Sequence, residues 1–275
     1  MKERVTLTID KELLHNVDAQ VDGNKIKNRS HAMELLLRKA LIGGVPDKAV
    51  ILAGGKGTRL SPLTDTTPKS LIDLNGQPIM QYNVDLCRRH GVQHIILSVG
   101  HMREQIIEHY KKEKDTSYIE EEHPLGTGGP LKLLKEQLTN TFLLMNSDEL
   151  KDINLKAMYQ FHLEHGAKAT LALTTVEDPS SYGVVIMDGH KIEGFIEKPK
   201  KEDAPSNLIS AGLYIIEPDV IDLLPEGFSM VERDLFPKLA QQGVLFGYPF
   251  PGQWFGTDTK ERLEAAKNGW QGFTH

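Results

Sequence analysis

With a single cysteine, Cys87, the chain has no internal disulfide. Cys87 lies inside a helical pattern with no nucleophile partner pattern around it, so it reads as a small buried hydrophobe and the chain as cytoplasmic. No apolar run approaches the roughly 18 residues of a membrane span, and Met1-Lys2-Glu3-Arg4-Val5-Thr6 lacks the apolar core of a signal peptide. No membrane partner is expected. None of the eleven histidines is read as part of a metal-ligand spacing such as His-x-x-x-His, so zinc chemistry is not expected. Neither common phosphate loop is present: no Gly-Lys-Ser/Thr closes a glycine loop, and the glycines do not fit Gly-x-Gly-x-x-Gly. No internal repeat or low-complexity stretch stands out.

What is there is ordinary globular material, 39% hydrophobic and 25% charged over 275 residues. That length suits one large domain, or a domain plus a small appendage. Charge is uneven: residues 1–44 hold eight Lys and Arg against six Asp and Glu, the remainder 24 against 32. The main body is therefore a poor nucleic-acid binder, and the N-terminal piece the better candidate.

From Lys48 onward, apolar runs at 48–53, 93–99, 141–146, 168–175 and 211–216 alternate with helical patterns at 77–90, 101–114, 128–138 and 152–165. Gly91 and Gly166 stand as helix stops. Continuous apolar strands between helices predict an α/β fold, a Rossmann-like mixed and mostly parallel sheet sandwiched by helices. Residues 182–197 read as a hairpin excursion. Ligands in such sheets bind beyond the carboxyl ends of the strands, where the 54–59 loop and Asp148 fall.

Residues 52–69 carry the strongest signal. After the first strand, Leu52 and Ala53 lead into Gly54, Gly55 and Gly57, a loop without side-chain bulk whose N–H groups can face phosphate oxygens. Thr58 follows, Arg59 adds a planar cationic fork, and Lys69 after Pro68 adds a point charge. With the later Pro124-Leu125-Gly126-Thr127, Asn146-Ser147-Asp148, Asp178-Pro179 with Tyr182-Gly183, Glu197-Lys198-Pro199 and Ala211-Gly212-Leu213-Tyr214, this loop closely resembles the sugar-1-phosphate nucleotidyltransferases, the nucleotide-sugar pyrophosphorylases. The resemblance runs from about Lys48 to the C-terminus. It implies transfer of a nucleoside monophosphate from an NTP to a sugar 1-phosphate with release of pyrophosphate.

Such a reaction joins two anions, so charge neutralisation and alignment dominate, and the attacking phosphate needs no general base. The resemblance implies catalytic roles for Arg59, Lys69 and Asp148, with Lys69 near the α-phosphate. It also implies Mg²⁺ on Asp148, and nucleotide contacts from Leu52, Ala53, Gly54, Gly55, Gly57, Thr58, Gly126 and Thr127. It gives the sugar phosphate to Lys198, a sugar hydroxyl to Glu197, and further sugar contacts to Tyr182, Gly183 and Ser210, the last standing where asparagine is usual. Leu125-Gly126-Thr127-Gly128-Gly129-Pro130 is closest to the guanylyl-transferring mannose-1-phosphate enzymes, which favours GTP, with UTP next. In place of the usual Trp-x-Asp-x-Gly-Thr, this chain reads Trp254-Phe255-Gly256-Thr257-Asp258-Thr259. Two roles are open to Asp258: second metal ligand, or cap of a helix beginning near Lys260.

Residues 1–45 form a different unit, set against a nucleotidyltransferase domain at 46–275. Val5, Leu7 and Ile9 alternate with polar residues as in a strand, and a helix is expected at 11–21. Ser30 is read as the cap of a second helix with apolar stripe Met33, Leu36, Leu37. The pattern resembles a ribbon-helix-helix module, which implies an intertwined homodimer or higher homo-oligomer. In that family the polar ribbon face enters DNA, here Lys2, Arg4, Thr6 and Thr8. A dimerisation clip that never meets DNA is the other reading. The rival for the whole chain is a DNA-binding regulator whose transferase-like domain senses nucleotide sugars, with an enzyme that represses its own operon between the two.

Overall fold

The structure, a computed structural model, describes residues 5–23, 26–41 and 44–274. In chain order come α1 (Lys11–Asp18), α2 (Arg29–Leu41), β1 (Lys48–Ala53), the small hairpin β2 (Asp73–Leu74) and β3 (Gln77–Pro78), α3 (Ile79–His90), β4 (His94–Val99), α4 (Arg103–Tyr110) and β5 (Thr116–Glu120). Next are α5 (Gly129–Leu133), β6 (Phe142–Asn146), β7 (Glu149–Lys151), α6 (Leu155–His165), β8 (Ala169–Thr175), β9 (Gly183–Asp188) and β10 (Lys191–Glu197). The chain continues through β11 (Leu208–Ile216), α7 (Phe236–Gln241), β12 (Leu245–Pro249), β13 (Trp254–Gly256) and α8 (Lys260–Gly269).

Nine strands make one sheet in the order β5-β4-β1-β6-β11-β8-β12-β10-β9. Seven run in one direction; only β11 and β10 oppose them, so the expected mixed, mostly parallel sheet is present. Alternate residues feed two cores. Ala49, Ile51 and Ala53 pack into one cluster with Leu97 and Met145, whereas Val50 packs into the other with Ile96 and Leu144. Covering both faces is what continuous apolar strands require. Helices α3 and α6 stop at Gly91 and Gly166, whose φ values of 85° and 58° need glycine. Cys87 is buried with its thiol 3.5 Å from Met145 Sδ, and burial pushes that thiol up to about 12, the inert state expected of a core residue.

Several elements depart from the sequence expectation. The helix proposed over 128–138 shrinks to α5, and β5, β12 and β13 were not anticipated, whereas α8 begins at Lys260 where a helix was expected. Strand β5 lies at the sheet edge, where its burial is partial and its pattern weak. His90 and His94 do stand in a His-x-x-x-His spacing. The stop at Gly91 separates them: His90 Nδ1 bonds the Leu86 carbonyl at 3.0 Å, and His94 Nε2 bonds Ser117 Oγ at 2.8 Å.

At the N-terminus, residues 5–10 belong to no strand, since a ribbon needs a partner edge and the single chain offers none. Helix α1 is shorter than expected and is capped by Asp10, which accepts from Glu12 N and Leu13 N at 2.8 and 3.3 Å. Asn28, not Ser30, accepts from an amide at the start of α2, that of His31 at 3.0 Å, so the cap lies earlier than expected. Arg29 clamps Asp18 with two bonds of 2.6 and 2.7 Å, tying α2 to α1. The expected stripe is corrected too: Leu36 and Leu37 are 41% and 49% exposed, whereas Ala32 and Leu35 are buried and Leu35 joins the main core. Thr6 and Thr8 are exposed, and Lys2 and Arg4 lie outside the described residues.

Candidate active site

Strands β1 and β6 run side by side with Leu52 opposite Asn146, so the glycine loop and Asp148 leave the sheet together. Gly57 has φ 63°, and a β-carbon there would stand 2.9 Å from both Lys69 Cβ and Thr64 Cγ2. Its bareness therefore closes the loop onto the Lys69 turn as well as exposing amides. A cavity of about 210 Å³ opens here; Leu52, Ala53, Gly55, Gly57, Thr58, Arg59, Lys69, Asp148 and Asp258 all line it. Residues far apart in the chain thus converge as expected. Gly54 faces a second cavity, of about 350 Å³, beside Gly100, His101 and Glu121.

The charges of the first cavity are paired. Lys69 Nζ bonds Asp148 Oδ2, and Arg59 Nη1 lies 2.7 Å from Asp258 Oδ2. Asp148 is fixed from behind, its carbonyl accepting from Thr257 N at 3.0 Å and Thr257 Oγ1 at 2.8 Å. The antiparallel pairing of β7 with β13 brings these two segments together. A β-carbon on Gly256 would be 3.7 Å from Asp258 Oδ1, so the Asp258 carboxylate borders the space a side chain at 256 would take. The helix-cap role for Asp258 is overturned: Thr259 caps α8, its hydroxyl accepting from Arg262 N at 3.3 Å. Burial pushes the Asp258 carboxyl up, but the hydrogen bond and charge of Arg262, with the charges of Arg59 and Lys69, outweigh it and hold the group below the usual carboxylate range. Two carboxylates at one polar cavity are a hard-oxygen donor set that fits Mg²⁺, which takes its remaining ligands from water and phosphate.

The residues given to the sugar side gather around the β9–β10 hairpin and the bulge in β11. Lys198 has φ 50°, its amide donates to the Tyr182 carbonyl at 2.9 Å, and its Nζ lies 3.1 Å from Glu197 Oε1. Ser210 Oγ donates to the Tyr214 hydroxyl at 3.1 Å. Gly183 also has a packing reason. A β-carbon there would be 2.2 Å from Phe195 Cζ, so packing demands the glycine. Gly126 and Thr127 line neither of these two cavities. A β-carbon at Gly126 would meet the Ser229 carbonyl at 2.3 Å, and Thr127 Oγ1 donates to Glu232 Oε2 while accepting from Val231 N.

Four functional candidates were missed by sequence reading. Ser70 lines the first cavity, and its buried hydroxyl has no hydrogen-bond partner among the described residues. Glu121 is 9% exposed at the second cavity, accepting from Ser98 Oγ at 2.7 Å and Leu125 N at 3.0 Å. Burial raises the Glu232 carboxyl to about 7. Glu149, over the bare Gly212, accepts from Asn146 Nδ2 and Trp254 Nε1 at 3.1 Å each. Only the acidic run Glu120-Glu121-Glu122 ahead of Pro124 hinted at any of them.

A polar, ion-paired cavity at the carboxyl ends of a mostly parallel sheet has the placement of a ligand site in an α/β protein. A family profile described as nucleotidyl transferase matches residues 48–269, and the chain belongs to that family. It is similar to the mannose-1-phosphate guanylyltransferase catalytic subunit beta of Xenopus tropicalis, 40% identical over 217 residues. That match covers 75% of this chain and 60% of the relative, so the chain spans about three-fifths of the length of such relatives. Among solved structures, HddC from Yersinia pseudotuberculosis complexed with GMP-PN is 26% identical with TM-score 0.69, covering 80% of this chain and 98% of that one. A putative glucose-1-phosphate thymidylyltransferase from Bacillus anthracis, in complex with a sucrose, shares the fold at TM-score 0.74 and 22% identity, with coverage of 80% and 94%.

Proposed function

We propose that the chain transfers GMP from GTP to mannose 1-phosphate, forming GDP-mannose and releasing pyrophosphate. The observation that carries this reading is the pairing of Arg59 with Asp258 and Lys69 with Asp148 around one cavity. Each cation there is held ready by a carboxylate, and phosphates can replace that carboxylate. The loop amides and Arg59 hold the β- and γ-phosphates and stabilise the departing pyrophosphate, and Lys69 lies by the α-phosphate. Asp148 and Asp258 would hold Mg²⁺, which when bound neutralises phosphate charge in the reaction. Lys198 takes the sugar phosphate, with Glu197, Tyr182, Gly183 and Ser210 around the sugar. The attacking oxygen is already ionised, so alignment replaces proton removal.

Guanine is favoured by Glu121. The guanine edge offers two adjacent donors, N1–H and N2–H, which match the two oxygens of a carboxylate. Uracil offers one donor between two carbonyls, which a carboxylate repels. The name of the Xenopus tropicalis relative supports the same base and sugar.

The exposed Val5, Leu7, Leu36 and Leu37 support pairing of the N-terminal module with a second copy. DNA contact through Thr6 and Thr8 is the alternative use, and a single buried cysteine suits a reducing, cytoplasmic setting. Pyrophosphate release measured over four NTPs and a panel of sugar 1-phosphates tests the reaction. GTP with mannose 1-phosphate should lead; release from no pair would leave the sensing regulator as the better account.

A further inference from the structure

One cation at the site has no part in the reaction described above. Arg262 stands in the first turn of α8, anchored by its own amide on the Thr259 cap. Its Nη1 donates to Asp258 Oδ1 at 2.8 Å, while the other carboxylate oxygen of Asp258 faces Arg59 at 2.7 Å. The Arg262 guanidinium carbon lies 4.6 Å from the centre of the Tyr182 ring, and that ring meets Trp254 edge-on at 5.4 Å. One side chain therefore touches a carboxylate of the nucleotide cavity and an aromatic face of the sugar side. Its side chain is 28% exposed, so both contacts are partly shielded from water.

We propose that Arg262 is a positioning residue that joins the two substrate sites, a role that rests on the transferase reading above. Asp258 has two arginine partners, and only one of them is needed elsewhere. When Arg59 turns to phosphate, Asp258 would lose its partner and be drawn out of place without a second. Arg262 is fixed by the helix cap and does not move with the substrate, so it holds Asp258 at the cavity wall. The same planar group sets the Tyr182 ring by stacking, which lysine does poorly. An ion pair and a stack on one guanidinium make the nucleotide and sugar halves a single rigid constellation. The reaction needs that, because a displacement of about 1 Å between reacting groups costs on the order of a hundredfold in rate.

Three proteins test this: wild type, Arg262→Lys and Arg262→Met, probed by calorimetry with α,β-methylene-GTP plus Mg²⁺ and, separately, with mannose 1-phosphate. Arg262→Lys keeps the charge beside Asp258, so nucleotide affinity should stay within about twofold. Its KM and Kd for mannose 1-phosphate should rise about tenfold, the size of a shielded cation–π contact. Arg262→Met should lose about tenfold in both affinities, with the nucleotide loss seen only when Mg²⁺ is present. A lysine variant with unchanged sugar-phosphate affinity overturns the proposal. So do losses in both variants that simply follow a fall in melting temperature, since that is a structural role alone. Calorimetry needs no turnover, so the two failures separate. A wild type that binds both probes and releases no pyrophosphate counts against the reaction. One that turns over while Arg262→Lys behaves as wild type counts against the link.

Discussion

Of the ten large apolar residues that stand exposed among the described residues, Val5, Leu7, Leu13, Leu36 and Leu37 fall in the N-terminal module, and the other five are spread over the rest of the chain. Inside the sheet, by contrast, Val50, Ile51, Leu97, Leu144 and Leu213 are entirely buried. The middle of the sheet buries its apolar residues within one chain, and only Ile186 and Ile196 on β9 and β10 stand 40% exposed, whereas among the described residues of the module the buried apolar ones are Val17, Ala32, Leu35 and Val45. Small units cannot close a core alone. The difference teaches that burial within one chain covers most apolar surface of the sheet region and leaves much of that of the N-terminal helices open.

If the chemistry lies wholly in the sheet region, Arg59→Ala should lower kcat by roughly two to three orders of magnitude, the loss expected for a charge aimed at the leaving group. Steady-state turnover near that of wild type would show that the cavity binds something other than a reacting triphosphate. Asp258→Asn should weaken the Mg²⁺ dependence of turnover about tenfold, and because Thr259 caps α8, its loss of stability comes from the broken pairs with Arg59 and Arg262 rather than from the helix start. A large drop in melting temperature with unaltered Mg²⁺ dependence would remove Asp258 from the metal.

Much of this division was legible beforehand. The motifs at 54–59 and 148 were readable because glycine or charge follows a continuous apolar strand, and Lys69 because it stands after Pro68 in the same ordered segment. Glu121, Glu232 and Arg262 were not, because their roles arise from contacts across 23 to 105 residues, such as Ser98 with Glu121 and Thr127 with Glu232. The direction of the α2 stripe was misread for a related reason. Periodicity names an apolar face, but here Leu35 found the main core and left Leu36 and Leu37 for another surface.

Glu232 sharpens the comparison from within the sheet domain. Its carboxyl is raised from 4.5 to about 7 mainly by burial, with Glu197 raising it further, against the Thr127 hydrogen bond and the Lys198 charge. The folded state therefore holds the proton more tightly than the unfolded chain. Stability from this group is present below pH 4.5 and lost as pH rises through about 7. Glu232→Gln should thus gain on wild type by about 3 kcal/mol between pH 4.5 and 8, on the order set by the shift. Denaturant unfolding at the two pH values measures this, and equal differences at both would refute a buried, proton-holding Glu232. Smaller still in its effect on chemistry, Leu36→Ser with Leu37→Ser should leave kcat within about twofold while shifting assembly toward smaller species in sedimentation. An unchanged mass would place the contact between copies elsewhere.

The most direct test of the division is to compare a chain lacking residues 1–41 with the full chain, by sedimentation and by pyrophosphate release from GTP and mannose 1-phosphate. The shorter chain keeps Val45 but loses Leu35 from the main core, so its melting temperature should fall. At a temperature where it is folded, its kcat should stay within about twofold of the full chain while its mass drops to a smaller assembly. A folded, shortened chain whose kcat falls tenfold or more would contradict the account, because the module would then be completing the active site.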